Sequence, residues 1–291
     1  MGGPYRYKIR FSGIVVEFIL PTPIQPPVNM ELLRCDSSVP AQDTYTLRLL
    51  ERPLRPRKLM VSSHGEARIF HTSKGWLHIY PALGDGNGCQ VACLFCPNGK
   101  HTIYYPASRW EEYSEVWRFA HLICGERLLL RHNAFLLHSS LVRLHGKAVL
   151  FCGASGAGKS TQASLWQEHL GAEILNGDRT VIQRRKDGFW GSGSPWSGTS
   201  GIYSPEEAPI AGIFLVEKAP ENRVEKLGFP AFSTLLSQTI VNSWDPEFMD
   251  AVTGLIADVM DTVPIYRLYC RPCKEAVLLV HDTLFGKENA P

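Results

Sequence analysis

The spacing of apolar positions changes near residue 107. Before it, short runs at 7–20, 44–50, 66–70, 76–80, 90–95 and 101–105 are rich in β-branched and aromatic residues. Gly and Pro interrupt them, as at Pro21-Thr22-Pro23, Gly84-Asp85-Gly86 and Pro97-Asn98-Gly99. Such runs predict strands, here antiparallel meanders in a β-rich domain over residues 1–107. The prolines of 21–27 predict a rigid loop. From Ser108 the period turns helical. Ser108 and Glu111 have capping-box spacing, and Trp110, Tyr113, Val116, Trp117, Ala120, Leu122 and Ile123 recur on one face. A helix over 108–131 is expected to bridge the two halves of the chain.

Beyond it, strand and helix patterns alternate. Residues 135–144 predict a strand, His145-Gly146-Lys147 a hairpin turn, and 148–152 a second strand. Residues 162–170 have helical spacing. Strands at 173–175 and 180–184 flank the polar stretch Asn176-Gly177-Asp178-Arg179. A buried strand at 211–217, helices at 229–241 and 246–260 (Asp245 as N-cap), a strand at 265–270 and a helix at 274–285 complete the pattern. The fold class is therefore α/β: a β-rich N-terminal domain, then a domain over 108–291 with a mixed sheet and flanking helices.

Between the 148–152 strand and the following helix the chain reads G-A-S-G-A-G-K-S-T, a full G-x-x-x-x-G-K-[ST] match from Gly153 to Thr161. A strand before and a helix after are the context a phosphate-binding loop needs. Gly153, Gly156 and Gly158 allow backbone conformations that a side chain would block. Successive N–H groups, those of Ser155, Ala157 and Thr161 among them, then form an anion cradle at the positive end of the helix. Lys159 is placed to reach the β- and γ-phosphates and Ser160 to hold Mg²⁺. ATP and Mg²⁺ are the expected cofactors.

The remaining numbers narrow the function class. At 291 residues and net charge +2, no global field favours nucleic acid or an anionic membrane. No apolar stretch approaches the ~20 residues of a membrane span. The first residues carry no signal-peptide core and no myristoylation pattern, which points to the cytoplasm. Eight cysteines form no tidy disulfide framework. Cys89, Cys93 and Cys96 (C-x₃-C-x₂-C) and Cys270 and Cys273 (C-x-x-C) have spacings that metal sites use. Alternation over 90–95 puts Cys89 and Cys93 on one side and Cys96 on the other, which favours plain thiols. Both readings stay open.

Three features surround the loop. His138 lies on the strand that the hairpin pairs with the loop's own strand. Asp178 follows the next apolar segment. Residues 191–201 form a long loop of small residues with one exposed tryptophan, Trp196. Together, Leu137-His138-Ser139-Ser140, the G-x-S-G-x-G-K-S loop and Asn176-Gly177-Asp178 resemble the HPr kinase/phosphorylase family, whose P-loop domain is related to that of phosphoenolpyruvate carboxykinase. The resemblance covers residues 135–200 well, the rest of the C-terminal half loosely and the N-terminal half not at all. It implies that Asp178 acts as base on a serine hydroxyl with His138 beside it, and Asp178 is also placed to help hold Mg²⁺. The sequence departs from the family at Ala154 and Thr161, where acidic residues are usual, and at Gly177-Asp178, which replaces an Asp-Asp pair. These losses argue against phosphorylase activity. The pattern is nearer to stand-alone HPr-kinase-like proteins that modify peptides, lasso-peptide kinases among them.

The expected activity is thus transfer of a γ-phosphate to a serine of a peptide or protein, with Arg179 adding positive charge at the transferring group. The β-rich domain is expected to recognise the acceptor. Glu217, ending an apolar run, is a competing acid. A nucleotide-dependent switch or a nucleotide-responsive peptide-binding module is the alternative, although no N-K-x-D or L-S-G-G-Q signature is present. The sequence leaves a homo-oligomer open.

Overall fold

The structure is a computed structural model that describes residues 4–56, 60–64 and 67–286. The first three residues, and Glu66 of the expected 66–70 strand, lie outside them. The chain divides into two compact units, Met1–Leu128 and Leu129–Pro291, each built on a mixed eight-stranded sheet. The α/β class read from the sequence is what the structure has.

The first unit contains β1 (Tyr5–Phe11), β2 (Ile14–Leu20), α1 (Val28–Leu32), β3 (Asp43–Leu50), β4 (Met60–His64), β5 (Ala67–Thr72), β6 (Gly75–Tyr80), β7 (Val91–Phe95) and β8 (Lys100–Pro106). The expected single run over 7–20 is a hairpin. Ser12 and Gly13 both adopt positive φ, 52° and 68°, which gives the tight turn that strand twist favours. The order β1-β2-β3-β8-β7-β6-β5-β4 is not a plain meander, because β2–β3 and β3–β8 are parallel. Alternation fixes which face a residue occupies but not which strand lies beside it. Tyr45, Leu47, Ile103 and Tyr105 are buried on one face, and Phe18 and Phe119 pack there edge to face at 4.8 Å.

The expected continuous helix over 108–131 is instead a 3₁₀ stretch at Ala107–Ser114, then α2 (Val116–His121) and α3 (Gly125–Arg131). Ser108 is not its cap, since its hydroxyl donates to Asp85 Oδ2 at 3.2 Å. Cys124 breaks the run with φ of 49°, a left-handed conformation that no helix carries through.

The second unit continues with β9 (Ala134–Leu144), β10 (Lys147–Cys152), α4 (Lys159–Leu170), β11 (Glu173–Asn176), β12 (Arg179–Arg185), β13 (Gly188–Ser192), β14 (Glu207–Lys218), β15 (Arg223–Leu227), α5 (Ala231–Ser237), α6 (Pro246–Thr262), β16 (Ile265–Cys270) and α7 (Lys274–Phe285). Two long strands change partners along their length. The first half of β9 pairs with β12 and its second half with β10 and β11. β14 pairs first with β13, then in parallel with β10 and β16. The strands β9, β12, β13, β14 and β10 therefore form a closed ring of ladders. One apolar cluster joins Leu137, Leu150, Ile213 and Ile265 to Leu235 of α5 and Val252 and Ile256 of α6. The other joins Val149, Phe151 and Phe214 to Trp166 of α4 and Val277 and Val280 of α7.

The helix expected over 229–241 is only α5, one of the shortest in the unit. Asp245 does cap α6, accepting from the Phe248 N–H at 3.3 Å. Among the described residues no helix is long and apolar enough to cross a membrane.

Candidate functional site

The hairpin between β9 and β10 sets the site. His145 and Gly146 make its turn with φ of 48° and 70°. Register then places Cys152, the last residue before the phosphate loop, opposite Ser139. One residue back on β9, His138 pairs with Arg179, the first residue of β12. The Ser139 N–H donates to the Asp178 carbonyl at 3.1 Å, which fixes the 176–179 turn against β9.

His138 Nε2 lies 3.0 Å from Asp178 Oδ1, and Arg179 Nε lies 3.3 Å from Asp178 Oδ2. One carboxylate is thus held from both sides, with all three side chains partly open to solvent. Burial, and the nearby charges of Lys159 and Arg179, hold the His138 pKa below its usual value despite the opposing pull of Asp178. His138 is therefore neutral near pH 7, and its ring N–H donates to the carboxylate.

The phosphate loop has the backbone its glycines predict. Gly153, Gly156 and Gly158 have φ of 149°, 76° and 111°. A side chain on Gly153 would come within 3.1 Å of the Val216 carbonyl oxygen, so the loop lies close against β14. Lys159 is buried, and its ammonium donates to the carbonyls of Gly153 at 2.9 Å and Ala154 at 3.1 Å. Burial lowers its pKa, while Asp178 pulls the other way, so ammonium and carboxylate are near enough to act on one another. Cys152 is a buried thiol pushed up to about 12, as expected of an inert core cysteine. Ala154, Ser155, Gly156, Ser160 and Thr161 are exposed, and Ala157 and Gly158 half-buried. The Ser160 hydroxyl has no protein partner among the described residues and is free to ligate a metal.

Among the described residues no group of three or more His, Cys, Asp or Glu could hold a metal ion. Asp178, one of the two expected magnesium ligands, belongs to no such group.

Several contributors were not singled out in the sequence. Asn176 is fully buried. Its Oδ1 accepts from the N–H groups of Asp178 at 2.8 Å and Arg179 at 2.7 Å, and its Nδ2 donates to the Trp196 carbonyl at 2.9 Å. Asn176, rather than Asp178, is the side chain that builds the turn; the N-G-D spelling was the available signal. Gly198 has φ of 56°, and a methyl group there would sit 2.5 Å from Asp178 Oδ2. The segment 193–201 therefore approaches the carboxylate at Gly198, while Ser194 and Ser197 are buried. Trp196 is half-buried, not exposed, and Gly191 and Ser192 belong to β13. Gln238 offers its carbonyl to the His138 N–H at 2.8 Å.

Glu217, the competing acid, is ion-paired to Arg267 at 3.1 Å. Both line a cavity of about 520 Å³ that opens on the phosphate loop at Gly153–Ala157 and on Ser237 and Gln238 of the α5 end. Glu217 thus faces the loop but has a cation already on its carboxylate. All eight cysteines are free thiols.

No protein family matches the sequence, and no curated protein matches it either. Among solved structures the chain is similar to the HPr(Ser) kinase/phosphatase from Coxiella burnetii, at 14% identity over 51% of this chain and 87% of that one, with a TM-score of 0.29.

Proposed function

We propose that the protein is a nucleotide-dependent kinase that transfers the γ-phosphate of ATP to a serine hydroxyl of a peptide or protein. The observation that carries this is a single carboxylate, Asp178, clamped by His138 and Arg179 within electrostatic reach of the phosphate-loop lysine. A switch needs a phosphate loop; it has no need of a positioned base with its own orienting histidine. Two lone-pair positions of the Asp178 oxygens accept from His138 and Arg179, and a carboxylate has further positions with which it could accept from a hydroxyl.

On this reading the N–H groups of residues 155–161 and the Lys159 ammonium bind the phosphates. Lys159 leaves its two loop carbonyls to do so. Ser160 and Asp178 would hold Mg²⁺, which when bound neutralises charge building on the phosphate oxygens. The hydroxyl proton passes to Asp178 as the oxygen bonds to the γ-phosphorus and the bond from that phosphorus to ADP breaks, with ADP leaving; Arg179 would offset charge developing on the transferring group. His138, neutral, keeps the carboxylate oriented. The first unit is left to recognise the acceptor, since each phosphate-binding feature lies after residue 134.

Asp178→Asn is the decisive variant. Asparagine keeps the size but takes up no proton, so transfer to serine-containing peptides, read by mass spectrometry with Mg-ATP, is expected to fall about 10²–10⁴-fold. Mg-ATP affinity should change only a few-fold if Asp178 serves chiefly as the base, and should fall along with the rate if holding Mg²⁺ is its main role. ADP release by the wild type with no peptide gaining phosphate would turn the assignment to an ATPase; unchanged transfer in the variant would move the base to Glu217.

A further inference from the structure

The first unit has a charged groove that the reaction does not use. On β3 and β8, Tyr45, Leu47, His101 and Ile103 point into the core, so Thr44, Thr46, Arg48, Lys100, Thr102 and Tyr104 line the opposite face. Parallel register sets Thr44 beside Lys100, Thr46 beside Thr102 and Arg48 beside Tyr104. A hollow of about 530 Å³ lies over this face, closed at one side by the Ser73-Lys74 turn and by Asn98. No Asp or Glu lines it. Arg48, Lys74 and Lys100 are exposed and make no ion pair among the described residues. Glu17, on the same face of the neighbouring strand, sits opposite Thr44 and is taken by Arg6 at 2.8 Å and Lys8 at 3.9 Å.

The spacing of these cations says what they can read. Arg48 and Lys100 are four residues apart along parallel strands, or ~13 Å at about 3.3 Å per residue. That spacing matches a linear polyanion lying along the strands, with Thr46, Thr102 and Asn98 offering hydrogen bonds in between. Among the described residues of this unit no Phe, Tyr or Trp ring is largely exposed, and Tyr104, the one aromatic residue lining the groove, is half-buried, so the groove has no open stacking platform for single-strand nucleic acid.

We propose that this groove binds an extended acidic peptide segment whose carboxylates lie four residues apart, E-x-x-x-E or its aspartate equivalents. Side chains at i and i+4 of an extended chain share a face and repeat over that same ~13 Å. Where the chain acts as a kinase, this segment belongs to the acceptor; that clause alone rests on the kinase reading.

The test is fluorescence anisotropy on the full chain without nucleotide, using a labelled Ser/Thr peptide with two glutamates four residues apart. The expected result is saturable binding, weakened at least tenfold by Arg48→Glu with Lys100→Glu, weakened by raising salt from 50 to 300 mM, and weaker for a peptide with the glutamates adjacent. Should the charge reversal fail to fold by circular dichroism, Arg48→Gln with Lys100→Gln decides, with a smaller loss in the same direction. No binding by the wild type, equal binding by the folded double variant, or equal competition by citrate or an oligothymidylate of the same length would each overturn the proposal. Peptide binding with no phosphate transfer would sink the kinase reading and leave the groove standing.

Discussion

Asn176→Ala tests how the site is held. The side chain is fully buried and carries the 176–179 turn on four hydrogen bonds: Oδ1 from the N–H groups of Asp178 and Arg179, Nδ2 to Ser194 Oγ at 3.3 Å and to the Trp196 carbonyl at 2.9 Å. Alanine leaves two backbone N–H groups and the Trp196 carbonyl without that partner. An unsatisfied buried polar group costs about 1–3 kcal/mol. Ser194 Oγ also bonds the Trp196 carbonyl, at 2.9 Å, and recovers part of the loss. Half of the turn borders solvent, so water recovers some of the rest. A net loss of roughly 3–4 kcal/mol remains. At about 2–4 °C per kcal/mol for a chain of this size, the melting temperature of the unit should drop by ~6–15 °C. Asp178 and Arg179 lose their anchor together, so phosphate transfer should fall by at least tenfold, while Mg-ATP binding at the phosphate loop weakens only a few-fold. Circular dichroism melts, nucleotide titration and a transfer assay on this variant read all three. A melting temperature within 2 °C of wild type would refute the view that Asn176 holds the turn. A large loss of nucleotide affinity with intact transfer would refute the division between turn and loop.

Lys159→Ala should abolish transfer by about a hundredfold or more, the worth of ~3 kcal/mol at a transition state, while the exposed Ala154 end of the loop rehydrates and the melting temperature shifts by under ~3 °C. Wild-type turnover in that variant would remove the loop from the chemistry. Gly198→Ala puts a methyl group onto Asp178 Oδ2 and forces a left-handed φ on alanine, so transfer should fall with a stability loss of roughly 1–2 kcal/mol and unaltered Mg-ATP affinity; an unaffected rate would show that residues 193–201 yield freely. His138 has a folded-state pKa below the 6.5 of the free side chain, so on acidification the unfolded chain takes up the proton first. Stability and transfer should hold between about pH 7 and 8 and decline as pH falls below ~6.5 and through the folded pKa; His138→Gln should flatten that limb, and an identical profile in the variant would place the titration elsewhere.

Much of the site was legible in the sequence because local chemistry dictates it. The glycine spacing of 153–158 permits the φ values found, and the apolar runs on either side of His145-Gly146 predict a hairpin that brings His138 alongside the loop strand. Asp178 beside His138 needed one further step, the pairing of β12 with β9, which sequence pattern suggests but does not set. What stayed hidden depends on residues far apart in the chain. Nothing near Gly198 says that it covers Asp178 across twenty positions. β13 is a glycine-bearing strand too short to show a period, and β15, Arg223–Leu227, is a charged outer strand whose apolar content is two residues. The parallel neighbours of β3 are likewise a matter of strand order, to which alternation is blind. The 108–131 pattern misled because apolar spacing survives a break in the backbone, and Cys124 supplies that break.

The shared strand β9 bears on motion as well as architecture. His138 and the phosphate loop hang from one antiparallel ladder, joined by a two-residue turn and six consecutive paired positions between Leu144 and Ser139. Sliding one strand past the other by a single step would turn each side chain to the opposite face, so the distance between His138 and the phosphate loop behaves as a fixed length. Whatever opens and shuts during turnover is then confined to pieces outside that ladder, the 193–201 segment lying on Asp178 and the α5 end at Gln238. The 193–201 segment touches Asp178 through Gly198 but lies outside that ladder, so the register that fixes His138 beside the phosphate loop does not fix the segment.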